Sequence, residues 1–103
     1  MYDMKLREII AQLGELDDSS YIFIESGNRT EESDVILIPI ERIEIDGLKP
    51  PGGMEYLLEV ETAKDVLKAW SFIRGGKTPS TLEGVTAILY YAENDAYLPI
   101  DIK

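Results

Sequence analysis

Apolar residues recur along the chain at two spacings, one helical and one alternating. Leu6, Ile9, Ile10 and Leu13 fall at i, i+3, i+4 and i+7, which predicts an amphipathic helix over residues 3–13. Asp3 is placed to cap its first turn, and Gly14 to take a left-handed C-terminal cap. Asp17-Asp18-Ser19-Ser20 is a polar turn signal. Residues 21–25, Tyr-Ile-Phe-Ile-Glu, are aromatic and β-branched on both parities, the pattern of a strand covered on both faces. The polar stretch 26–34 reads as an exposed loop. Val35 to Ile40 is a second apolar strand. Pro39 has no N–H to give to a ladder, so it belongs at an edge, a bulge or the strand's end. Ile43 and Ile45 continue the alternation on the parity opposite to Ile36, Ile38 and Ile40, which calls for a bulge or bend near Glu41.

Gly47 to Gly53, with Pro50 and Pro51, forms a turn-rich connection. Beyond it Met54, Tyr56, Leu58 and Val60 alternate with Glu55, Glu59 and Glu61, as in a half-exposed antiparallel strand broken only by Leu57. Thr62 and Asp65 resemble a capping box opening a helix over 62–74, with Val66, Leu67, Trp70 and Ile73 inward and Gly75-Gly76 at its end. Thr78-Pro79 opens another helix with an apolar stripe of Leu82, Val85, Leu89 and Ala92, modestly weakened by Gly84. Asn94-Asp95 is a turn, and Tyr97 to Ile102 a short last strand. Successive strands lack helical crossovers. The order α-β-β-β-α-α-β, or with one more strand if Ile43–Asp46 pairs separately, therefore predicts one α+β domain over 1–103, with an antiparallel or mixed sheet of about four strands and three helices.

Composition narrows the chemistry. Twenty acidic against ten basic residues give a net charge of −10, and there is no His or Cys. That removes nucleophilic catalysis of the His–Ser or Cys–His kind, Cys/His zinc sites and disulfides. An acidic chain is a poor direct ligand for nucleic acid, whose binding is driven by Lys and Arg. No run approaches the ~20 apolar residues of a membrane span, and Asp3 and Glu8 interrupt the N-terminal stretch, so a cytoplasmic protein with no membrane partner is expected.

Gly75-Gly76-Lys77-Thr78 contains Gly-Lys-Thr but follows a helix and lacks the upstream glycine of a phosphate-binding loop. Carboxylates are the plentiful reactive groups, and Glu31, Glu32 and Asp34, like Glu41, Glu44 and Asp46, lie close together in sequence. Paired carboxylates serve acid–base catalysis or hold divalent cations, so a carboxylate-based enzyme or metal-binding domain is the alternative reading. The spacing of Glu31-Glu32-Ser33-Asp34 matches no calcium loop, and no catalytic, cofactor-binding or metal residue is assigned. An acidic surface that attracts a basic protein partner is the leading one, with these six carboxylates as its contacts. Tyr90 and Tyr91 point about 100° apart on a helix, so one faces the core and the other is free; Tyr91 joins the contact set.

Met54 to Val60, the helix 62–74, Thr81-Leu82-Glu83 and Tyr90-Tyr91-Ala92-Glu93-Asn94-Asp95-Ala96-Tyr97, with Leu6-Arg7-Glu8-Ile9-Ile10 before them, occur in a telling order. Together they resemble a family of small, uncharacterised bacterial single-domain proteins. The Tyr-Tyr-x-Glu-Asn-Asp-Ala-aromatic run is the most specific element. The family's small acidic members are similar to immunity proteins of bacterial toxin systems such as contact-dependent growth inhibition. The resemblance implies a non-enzymatic protein that neutralises a cognate toxin, with a basic nuclease domain as the expected partner and no cofactor. It carries no catalytic residue onto this chain, and residues 26–53 lie outside it.

Overall fold

The computed structural model describes residues 4–100. The expected cap Asp3 and the end of the expected last strand, 101–102, lie outside them. The chain forms four strands and four helices: β1 (Met4–Lys5), α1 (Leu6–Ala11), β2 (Ser20–Glu25), β3 (Asp34–Pro39), α2 (Ile40–Glu44), β4 (Met54–Glu59), α3 (Val60–Ile73) and α4 (Thr81–Asn94). The sheet is antiparallel throughout, in the order β1-β3-β2-β4. The fold is α+β, with one helix more than expected and with the extra strand at the start of the described chain.

Even-numbered residues of β2 point to the helices. Ile22 and Ile24 are fully buried with Leu6 and Ile9 of α1, Val60, Ala63 and Val66 of α3, and Val85, Ala87 and Ile88 of α4. The three longer helices thus share one face of the sheet. α4 crosses α1 and α3 at Gly84, where an added Cβ would lie 2.9 Å from Ile10 Cγ2 and 3.3 Å from Leu67 Cδ2. The glycine expected only to weaken the helix is what lets it approach its neighbours.

Several boundaries differ from expectation for local reasons. The first helix begins at Leu6, because Met4 and Lys5 pair with Val35 and Asp34 as a short strand. The first two helical N–H groups are taken by the loop before β3: Leu6 N–H donates to Ser33 O and Arg7 N–H to Glu31 O, both at 2.9 Å. Ser33 is accordingly buried, so the polar loop is exposed only in part. Gly14 lies in a 3-10 turn, Leu13–Glu15, and not in a left-handed cap.

Pro39 ends β3, and residues 40–44 form α2 in place of a continuing strand. Ile40 and Ile43 then share one side of a helical turn, while Ile45 is 80% exposed. Ile40 N–H donates to Ser19 O, so the Pro39 nitrogen, one residue earlier, faces away from β2.

α3 starts at Val60, two residues before the expected Thr62, and Ile73 is more exposed than its predicted inward face. α4 is capped by Ser80, whose Oγ accepts from Glu83 N–H while Glu83 Oε1 accepts from Ser80 N–H. Its buried side is Val85, Ala87 and Ile88, and Leu82 is exposed. No strand follows Asp95 among the described residues; Leu98 instead plugs into the core and Arg74 Nη2 holds Pro99 O at 3.1 Å.

Gly84→Ala would ordinarily add about 1 kcal/mol of helix propensity. Here the methyl meets the rigid branch of buried Ile10, and overpacking costs about 1–3 kcal/mol. The substitution should therefore lower stability in a urea titration, and a gain would sink the close-crossing account.

Candidate functional site

The odd-numbered residues of β2, Tyr21, Phe23 and Glu25, point away from the three long helices. Their neighbours on β3 are Ile38 and Ile36, opposite Tyr21 and Phe23. On β4 the register slips between Ile22 and Phe23: Ile22 faces Leu58, but Phe23 faces Tyr56, leaving Leu57 as an extra residue. The slip divides residues that the alternation had assigned to one face. Leu58 joins the helical core, whereas Tyr56 and Met54 join the open face beside Phe23 and Glu25. Leu57 itself is buried.

Three aromatic rings meet there edge to face. Tyr21 and Tyr56 have centroids 5.5 Å apart at 86°; Phe23 lies 6.1 Å from each, at 84° and 73°. Phe23 and Ile38 are buried, but outside the cluster packed by the helices, while Tyr56 is 52% exposed. The cluster thus covers its own floor and presents tyrosine to solvent. Such pairs are each worth about 0.5–1.5 kcal/mol beyond area burial.

Carboxylates edge the rings. Glu44, carried by α2, accepts the Tyr21 hydroxyl through Oε2, and Glu59 lies opposite Tyr21 on β4. The hydrogen bond to Glu44, helped by burial, pushes the Tyr21 phenol up to about 12. Burial first, then Glu59 and Tyr91, also raises Tyr56. The charges acting on both phenols are thus acidic, with no Lys or Arg among them in the described residues.

The residues expected to bind a partner fall into separate groups. Glu31, Glu32 and Asp34 lie at the start of β3, and Glu41, Glu44 and Asp46 beyond its end, roughly 17 Å away at about 3.3 Å per residue. Glu32 is held by Arg7 and Asp34 by Lys5, each at 2.6 Å, and Asp46 by Arg42 at 3.4 Å. Glu31 gives its carbonyl to α1, Glu41 is exposed on α2, and Glu44 is engaged by Tyr21. Tyr91 packs partly against the core, with its ring centroid 5.5 Å from that of Tyr97. The aromatic cluster was not anticipated as a site. Its sequence signals are Tyr21-Ile22-Phe23, aromatic on the parity opposite to the core, and the break in the β4 alternation at Leu57. Among the described residues, no group of three or more acidic side chains stands close enough to hold a metal ion.

The raised Tyr21 phenol favours the folded state fully below pH 10, and that contribution fades as pH rises through about 12. In an alkaline titration followed by tyrosinate absorbance, Tyr21→Phe should remove a phenol that ionises near pH 12. Glu44→Gln should bring that step down toward 10. An unchanged profile for Glu44→Gln would show that the hydrogen bond is not the cause.

No protein-family model, no curated protein and no solved structure matches this chain.

Proposed function

We propose that the protein is a non-enzymatic binding protein that neutralises a basic protein partner, of the kind a bacterial toxin nuclease domain represents. The observation that carries this reading is the open sheet face, where a partly exposed aromatic centre is edged by Glu44 and Glu59. Tyrosine at the middle of a patch supplies large contact area at low entropy cost, and surrounding carboxylates give orientation and on-rate. A nuclease gathers Lys and Arg to hold phosphate, and those cations are what this face complements.

Size decides how far the interface must spread. Three paired strands offer a face of roughly 17 Å by 15 Å, about 250 Å². A stable complex takes roughly 800 Å² from each partner. The contact would extend past both ends of β3, over Glu31 and Glu32 on one side and Glu41 on the other, so the acidic segments act as a rim around the rings. Rim charges govern association more than residence time.

Gene neighbourhood and co-expression test the reading: a toxic domain should be encoded beside the gene, and cells expressing that domain should grow only with this protein present. Protection should depend on the protein, and association of the purified pair should slow steeply with salt, since screening acts over ~10 Å at 0.1 M. Reversing charge at Glu41 and Glu44 should weaken the complex while the far-ultraviolet circular dichroism stays unchanged. Full protection by that variant, or an association rate indifferent to salt, would overturn the acidic-surface mechanism. Stoichiometric Mg²⁺ or Ca²⁺ uptake in calorimetry would favour the carboxylate-chemistry alternative instead.

A further inference from the structure

The groove between α3 and α4, lined by Trp70, Leu82, Leu98 and Ile100, is occupied by the protein's own cation. Arg74 sits 4.4 Å over the Trp70 ring and donates to Trp70 O and Pro99 O. That contact shows what the chain does with a guanidinium and an aromatic ring. The open sheet face likewise sets an aromatic ring beside oxygen acceptors: exposed Tyr56, the Tyr21 ring perpendicular to it, and Glu44 and Glu59 next to Tyr21.

We infer that this corner is the seat for an arginine side chain of the partner, laid on the Tyr56 ring with its N–H edge turned to Glu59 and Glu44. The inference rests on the binding-protein reading and names the chemistry at its centre. Charge complementarity carries it. Glu59 and Glu44 make no ion pair with Lys or Arg among the described residues, although five other carboxylates do. Tyr21 fixes Glu44 through Oε2, which leaves Oε1 to accept a further donor. Glu59 lies opposite Tyr21 across the β2–β4 pair.

Arginine fits this corner better than lysine for a geometric reason. A guanidinium is flat and weakly hydrated, so it stacks on a ring while its edge donors reach carboxylates. An ammonium is a compact, strongly hydrated point that satisfies one demand or the other. The seat is also preformed: the perpendicular packing of Tyr21, Phe23 and Tyr56 holds the ring in place before any partner arrives.

The probe is tetra-arginine amide, with tetra-lysine amide as its control, titrated into the whole chain at fixed ionic strength and followed by backbone amide NMR. Saturable shifts should centre on Tyr21, Tyr56 and Glu59, with arginine binding several-fold more tightly than lysine. Tyr56→Ala should weaken arginine binding about three- to tenfold, whereas Tyr56→Phe, which keeps the ring, should stay within about twofold. Glu59→Gln should weaken it too. Equal binding of the two peptides, shifts centred on residues 31–34, or a Tyr56→Ala variant that binds as well as the parent would each overturn the seat. The two readings fail separately. If Tyr56→Ala still protects cells fully, the binding function stands and the arginine seat falls. If the arginine peptide binds as described but no toxin is neutralised, the seat stands and the toxin reading falls.

Discussion

One extra residue in one strand sets the character of both sheet faces. Without the bulge at Leu57, Tyr56 and Leu58 would share a parity, and either the ring would enter the helical core or the leucine would face solvent. With it, Leu58 pairs with Ile22 beneath the helices and Tyr56 pairs with Phe23 on the opposite side. The bulge sits in the last strand of the sheet, where one neighbour suffices and an irregular ladder costs least. It also re-aims Glu59 to the open face directly before α3 begins, so the strand that completes the core also supplies a carboxylate to the aromatic corner.

The scarce cations are used for holding segments down. Lys5, Arg7 and Arg29 tie the region around the 26–33 loop to β1, α1 and β4; Lys64 grips Asp18 and Leu16 O; Arg74 secures the chain after α4. Partly exposed pairs of this kind contribute little stability each, typically 0–1 kcal/mol. Their effect is to fix where loops lie, and to neutralise carboxylates near the start of β3. At the far end of β3 Arg42 pairs with Asp46, but Glu44 is steadied by a phenol, which orients a carboxylate without cancelling its charge. A site for a cation needs that distinction, because an acid already matched to arginine has little left to offer a second one.

The legible parts of the fold were those where burial acts on one face at a time. Val66 and Trp70, and the glycine stop at residues 75 and 76, follow directly from period and turn chemistry. Elements made by distant partners were not legible. β1 exists because Val35 and Asp34 lie beside it, and α2 exists because β3 stops at Pro39 and Ile40 and Ile43 fall on one helical side; each is too short for periodicity to declare. Gly84 looked like a local weakness, since propensity says nothing about Ile10 and Leu67 arriving from elsewhere. As for the site, the acidic residues were visible by type, but their division between the two ends of β3 and their pairing with Lys and Arg are tertiary facts. The lone break in the alternation at Leu57 was visible as well, and it marked the residue on which the face depends.

An exposed aromatic sheet face raises the question of why the chain would not bury it against a second copy of itself. A dimer through that face would desolvate Glu44 and Glu59 of both copies, in a protein already carrying −10. Desolvating like charges together costs more than the tyrosine area returns, so the carboxylates that would welcome a basic partner also repel a copy. Removing Glu59 by a neutral substitution would weaken both effects at once. In the proposed complex the same side chain would therefore favour a basic partner and disfavour a second copy.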